Sequence, residues 1–179
     1  MSAPDLYDAQ VLRRFIRDIP DFPKPGILFR DVTPLLADAK ALRSAVEALA
    51  APFRNDAVDH VIGIESRGFL FGAPVALALG AGLCLVRKAG KLPYETRSTT
   101  YALEYGSDTV EMHIDAVKPG QRVIVVDDLV ATGGTAAAAV RLARESGALV
   151  EGCAFLIELG ALGGRTLLDV PRVHSVIAY

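Results

Sequence analysis

Apolar residues fall into two kinds of run along this chain. Short continuous runs occupy residues 60–64, 83–86, 122–126, 150–157 and 173–178, and most end in glycine or a polar group. A continuous apolar run bounded by turn residues suits a strand buried on both faces of a parallel sheet. Helical segments fall between them. Residues 40–53 are rich in Ala and Leu, and an alanine run over residues 135–146 stops at Gly147. Residues 6–19 place Val11, Leu12, Phe15, Ile16 and Ile19 at helical spacing, with Arg13, Arg14 and Arg17 off the stripe, which predicts an N-terminal helix. The next segment, PDFPKPGILFRDVTP, holds Pro20, Pro23, Pro25 and Pro34, which excludes a regular helix and predicts an extended, rigid loop. Within a polar stretch, residues 99–104 and 110–114 around Gly106 predict a hairpin. Residues 165–169 predict a short helical turn. Strands alternate with helices, and that pattern is α/β with a mainly parallel sheet.

Composition narrows this little. A length of 179 residues fits one domain over 1–179, and 51% hydrophobic residues supply a sizeable core. A net charge of −2 gives no electrostatic case for nucleic acid. Cys84 and Cys153 stand in apolar surroundings without metal-ligand spacing, as buried reduced thiols of a cytoplasmic protein would. The N-terminus lacks the continuous apolar stretch of a secretory signal. Residues 69–86 carry no charge, but Gly72, Pro74, Gly80 and Gly82 interrupt them. A buried helix turning into a buried strand explains them better than a membrane span.

Candidate chemistry concentrates in VIVVDDLVATGGTAAAA, residues 123–139. The predicted strand ends in Asp127 and Asp128, then Thr132-Gly133-Gly134-Thr135 opens the alanine helix. Ligands sit at the carboxyl ends of strands in open α/β sheets, and a glycine-rich helix N-terminus can cradle a phosphate. Carboxylates repel a phosphate and suit vicinal sugar hydroxyls or a metal shell, so the stretch describes a site for a phosphorylated ribose. Two more polar turns follow predicted strands: GIESRG at residues 63–68 and RKAGK at 87–91. Phe29 and Arg30 stand in the rigid loop. Neither GxGxxG nor GxxxxGK[ST] occurs, which disfavours a dinucleotide fold or a P-loop NTPase. His60, His113 and His174 match no catalytic pattern.

The acidic pair with Ala-Thr-Gly-Gly-Thr, between strand and helix, resembles the phosphoribosyl pyrophosphate (PRPP) signature of type I phosphoribosyltransferases. PDFPKPGILFRDVTPLL, ESRGFLFG with RKAGKLP, and YALEYG resemble the adenine-specific branch of that family, in the family's order. The resemblance runs from about Ile19 to Leu159. It implies a mainly parallel sheet flanked by helices, an N-terminal hood over about 1–35 and a flexible flap over about 93–115. It implies transfer of the 5-phosphoribosyl group from PRPP to adenine, with Mg²⁺, giving AMP and pyrophosphate. Asp127 and Asp128 would hold the ribose hydroxyls, directly or through hydrated metal, and Ala131, Thr132, Gly133, Gly134 and Thr135 the 5-phosphate. Glu65, Ser66 and Arg67 would form the pyrophosphate loop, with a cis peptide possible in it, and Arg87, Lys88 and Lys91 would add charge. Leu28, Phe29, Arg30 and Leu159 would enclose adenine. Glu104 would move the adenine proton and Tyr105 would lie beside it on the flap; Arg67 and Arg87 complete the expected catalytic set. A homodimer is implied, with Arg87 near the partner's site. The chain departs from many relatives in Glu65 for Asp, Ala89 for a cation and Leu28 for Val. Two alternatives stay open: a 6-oxopurine enzyme of the same class, and a non-catalytic PRPP sensor that binds DNA. The latter would need an added module and a basic face.

Overall fold

The computed structural model describes residues 5–102 and 106–179. Its centre is a seven-stranded sheet, formed by β3 (His60–Ile64), β4 (Gly82–Lys88), β5 (Thr96–Ala102), β6 (Ser107–His113), β7 (Arg122–Val130), β8 (Leu149–Glu158) and β9 (Val173–Ala178). The order is β5-β6-β4-β3-β7-β8-β9. Strands β4, β3, β7, β8 and β9 run parallel, while β5 and β6 form an antiparallel hairpin that continues the sheet from the end of β4. A separate two-stranded ribbon pairs β1 (Arg17–Ile19) with β2 (Phe29–Asp31).

The continuous apolar pattern is explained by burial on both sides. Val123, Ile124, Val125 and Val126 of β7 are all fully enclosed, with Val123 and Val125 in one core and Ile124 and Val126 in the other. Helix α5 (Gly134–Glu145) covers the first face, and α3 (Ala39–Ala50) with α4 (Gly68–Leu79) covers the second. Helix α4 leaves from β3 and α5 leaves from its neighbour β7, on opposite faces. The carboxyl ends of these two strands therefore open into a crevice, the position where doubly wound sheets bind ligands.

Several sequence expectations are corrected. The N-terminal helix is α1 (Ala9–Arg13) alone, capped by Asp8, whose Oδ1 accepts the Val11 N–H at 2.9 Å. Beyond it the chain straightens into β1, because pairing with β2 satisfies more backbone than an isolated last turn would. Leu12 and Ile16 stay buried, so the apolar stripe survives the change of structure. The proline-rich segment is not wholly a loop. It forms β2 and then α2 (Thr33–Ala37), with Pro34 in the first turn, where a missing N–H costs nothing. Strand β4 reaches Lys88, so Arg87 and Lys88 lie in a strand opposite Glu111 and Val110 of β6. Strand β7 extends to Val130, which puts Asp127 and Asp128 inside it. Helix α4 is not buried all round, since Leu77 is 83% exposed. Gly80 ends it in the left-handed conformation at φ +67°, as expected of a glycine stop. Among the described residues no helix is long and apolar enough to cross a membrane.

Candidate active site

The two acids of β7 sit side by side at the crevice. Asp128 is buried, and its Oδ2 accepts the Arg67 Nε–H at 2.5 Å. Asp127 Oδ1 accepts the Asp128 backbone N–H at 2.9 Å. Desolvation, then the adjacent Asp128 charge, push the Asp127 carboxyl well above the ordinary carboxylate range, against the opposing pull of Arg67. A carboxyl in that state gains most from a ligand that brings hydroxyl donors or positive charge.

Immediately after β7 the chain forms a cradle. Gly133 caps α5 with φ +81°, and a Cβ there would lie 2.3 Å from the Gly164 carbonyl oxygen. A Cβ on Gly164 would in turn lie 2.2 Å from the Ala131 carbonyl oxygen. Both residues must be glycine for this backbone-to-backbone contact, and the contact fixes the loop. Among the described residues, the N–H groups of 132–136 donate to no protein acceptor. They join the positive end of a helix of 12 residues, a ready anion site. Asp127 and residues 129–136 line this cleft of about 120 Å³.

A second cleft of about 330 Å³ adjoins it, lined by Glu65, Ser66, Arg67, Lys88 and Asp128, and shares Asp127, Leu129 and Thr135 with the first. The turn after β3 carries a cis peptide between Glu65 and Ser66. Glu65 does not face open solvent. Its Oε1 accepts from Arg87 Nη2 at 3.1 Å and Lys91 Nζ at 2.8 Å, and its Oε2 accepts the Lys88 N–H at 3.0 Å. Burial alone would raise its carboxyl, but these donors outweigh burial and hold it at about 2. Glu65 thus gathers the cations of the 87–91 segment at one edge of the cleft. Lys88 Nζ pairs with Asp108 and lies 3.3 Å from the Tyr101 hydroxyl oxygen.

The expected base wall is divided. Side chains alternate along β2, so Phe29 faces away from Leu28 and Arg30. The Phe29 ring lies under the Arg67 guanidinium, 5.0 Å from Cζ to centroid, with Phe22 packed edge-on against it at 5.1 Å. Leu28, Arg30 and Leu159 line a different pocket of about 260 Å³ with Ala161, Leu162 and Tyr179. There the Arg30 guanidinium stacks 3.7 Å from the Tyr179 ring centroid. Glu104 and Tyr105 lie outside the described residues. Sequence reasoning did not single out Tyr101, Asp108, Gly164 or Tyr179. The Gly163-Gly164 doublet signalled a loop, Tyr101 opens the YALEYG motif but was given no role there, and nothing local in the chain marked Asp108 or Tyr179.

A profile for the phosphoribosyl transferase domain matches residues 35–171. An adenine phosphoribosyltransferase of Rhodopirellula baltica is 54% identical over 173 residues, covering 97% of this chain and 84% of its own length. The crystal structure of an adenine phosphoribosyltransferase from Rhodothermus marinus is 53% identical with a TM-score of 0.92, covering 96% of this chain and 98% of its own. The Saccharomyces cerevisiae adenine phosphoribosyltransferase, complexed with an imino-altritol bisphosphate and adenine, is 43% identical with a TM-score of 0.89. It covers 94% of this chain and 97% of its own.

The Glu65 cluster makes a pH-dependent prediction. Its carboxyl falls from an ordinary 4.5 to about 2 on folding. A depressed acid stabilises the fold above its unfolded value, and the contribution is lost as pH falls from about 4.5 toward about 2. Glu65→Gln should cost about 1–3 kcal/mol at pH 7 and almost nothing near pH 2. Urea unfolding at both pH values measures this, and an equal loss at each would show that the cations do not set the Glu65 charge.

Proposed function

The chain belongs to the phosphoribosyl transferase family, and from that premise we propose how its residues divide one reaction. It transfers the 5-phosphoribosyl group from PRPP to adenine, giving AMP and pyrophosphate in purine salvage. The observation that supports the division of labour best is the continuity of the two clefts through Asp127, Leu129 and Thr135. One extended ligand, phosphorylated at both ends of a sugar, fits that shape. Residues 131–135 take the 5-phosphate on backbone N–H groups and the Thr132 and Thr135 hydroxyls. Asp127 and Asp128 take the ribose hydroxyls. Ser66 and Arg67 meet the pyrophosphate, and Arg87, Lys88 and Lys91 supply its positive surroundings.

Mg²⁺ suits this donor set as a guest of the substrate. Among the described residues no cluster of three or more His, Cys, Asp or Glu side chains is placed to hold a metal by itself. Asp127 and Asp128 would hold it through water and sugar oxygens, and the ion would offset charge on the leaving pyrophosphate. The protein's own part is positioning. Displacement at C1 of the ribose passes through an oxocarbenium-like state that needs no protein nucleophile. Arg67, Arg87 and Lys88 favour departure of the highly charged pyrophosphate, and the flap over about 93–115 excludes water that would hydrolyse the sugar.

Adenine lies against Phe29, under the hood formed by residues 1–35. The outer edge of β2 has no strand partner among the described residues. Its backbone carbonyls can accept from the 6-amino group of adenine, where a 6-oxopurine presents an acceptor instead. Leu28, Arg30 and Leu159 close the base site from behind β2. Glu104 handles the purine proton as the flap closes, with Tyr105 beside it.

A homodimer is supported by the apolar surface that α4 and β4 leave uncovered. Leu70, Leu77, Leu83 and Leu85 are exposed. Leu83 Cδ1 lies 3.4 Å from where a Gly72 Cβ would be, so the helix and strand parts of the patch meet. Arg87 follows Leu85 on the same face of β4 and carries the patch toward the pyrophosphate end. A cytoplasmic setting is supported by Cys84 and Cys153, both free and buried, with burial pushing their thiols up to about 11 and about 12.

Steady-state rates with adenine, hypoxanthine and guanine test the base assignment. kcat/KM for adenine should exceed that for hypoxanthine by on the order of 10³ or more. Comparable or faster use of hypoxanthine would overturn it. Glu104→Gln should lower kcat by about 10²-fold while KM for adenine moves by less than about threefold; near-normal turnover would assign the proton to another group. Leu77→Glu should shift the species seen by sedimentation velocity from dimer to monomer, and an unchanged dimer would place the interface elsewhere.

A further inference from the structure

One phenol on the flap touches residues assigned to both ends of PRPP. The Tyr101 hydroxyl oxygen accepts from Thr135 Oγ1 at 2.9 Å and from Lys88 Nζ at 3.3 Å. It donates to Asp108 Oδ2 at 3.4 Å, and that carboxylate also pairs with Lys88. Thr135 belongs to the phosphate cradle on α5, Lys88 to the cation strand β4, and Tyr101 and Asp108 to the two strands of the flap hairpin. The Tyr101 residue is only 9% exposed and its ring is part of the core beneath α5. Its hydroxyl is therefore fixed by packing, not held on a mobile stem.

We propose that Tyr101 is a positioning residue for PRPP, registering the flap against the phosphate cradle and the pyrophosphate cation at once. This rests on the assignment of Thr135 and Lys88 to PRPP. The hydroxyl chemistry suits the role. A hydroxyl donates one hydrogen bond and accepts others, so the Tyr101–Thr135 contact can reverse direction. In the free chain Thr135 donates to Tyr101, which donates to Asp108. When a phosphate accepts from Thr135, Tyr101 can donate to the Thr135 oxygen and keep that side chain aimed at the ligand. Asp108 holds Lys88 while no pyrophosphate is bound, and gives it up to a more highly charged anion. Loading both ends of PRPP thus rearranges hydrogen bonds at a single flap side chain, and Glu104, assigned above to the purine proton, follows three positions later in the sequence.

Tyr101→Phe removes one oxygen and leaves the packed ring. KM for PRPP should rise about tenfold, KM for adenine should stay within about twofold, and the melting temperature should move by less than about 2 °C. Thr135→Val and Lys88→Gln serve as controls on the underlying assignment and should each raise KM for PRPP. Combining Tyr101→Phe with Thr135→Val should add little to the larger single effect, because both delete the same contact. A wild-type KM for PRPP in Tyr101→Phe, with both controls impaired, overturns the proposal and leaves the site assignment standing. Wild-type values in the controls overturn the assignment itself. A parallel rise of both KM values with a fall in melting temperature would reduce Tyr101 to a core residue and also overturn the proposal.

Discussion

The Arg67–Asp128 ion pair joins the parts on which the site depends. Its 2.5 Å contact spans the carboxyl ends of β3 and β7, the two strands whose helices leave on opposite faces of the sheet. Two adjacent acids inside a buried strand repel each other and lose hydration. One of them is compensated by Arg67, and the other is left far above its ordinary pKa. The same guanidinium lies over Phe29. A single side chain therefore links the acid pair of β7, the turn after β3 and the Phe29 ring. A ligand that takes any one of these partners alters the balance of the others.

Around this link, charge is handled by pairing within the protein until substrate arrives. Glu65 gathers Arg87 and Lys91, and Asp108 holds Lys88. Cations massed at the edge of a cleft of about 330 Å³ would otherwise repel one another. The cradle after β7 needs no such counter-charge, since its donors are backbone N–H groups fixed by the glycine contact between Gly133 and Gly164. The two clefts thus offer different physics: fixed dipoles at the start of α5 and exchangeable side-chain charge around Glu65 and Asp108.

Membership of the phosphoribosyl transferase family accounts for how much of this could be read from the chain. The residues 123–139 carry burial, acid pair, glycine turn and helix start in one contiguous stretch, and local physics is enough to interpret them. Strands β3 and β9 have the predicted limits for the same reason, being short apolar runs with clear stops. The reading failed where structure depends on a distant partner. Residues 17–19 leave the helical pattern to pair with residues 29–31. Arg87 and Lys88 join a strand because β6 returns alongside them. Phe29 and Arg30, neighbours in sequence, face opposite sides of a ribbon whose existence the prolines had hidden.

The sequence by itself determined the α/β class, the alternation of the long strands and helices, the acid pair with its glycine-rich loop and the family. Each is written in residues adjacent along the chain, where spacing and residue type act directly. Tertiary structure decided which charges neutralise each other, which side of β2 Phe29 and Arg30 each face, and that Tyr101 stands between Lys88 and Thr135. These depend on residues 13 and 34 positions from Tyr101, brought together by strand pairing and helix packing. No local pattern encodes such a meeting. It follows from closure of the sheet edge over α5, the same packing that buries the Tyr101 ring and fixes its hydroxyl at the rim of the site.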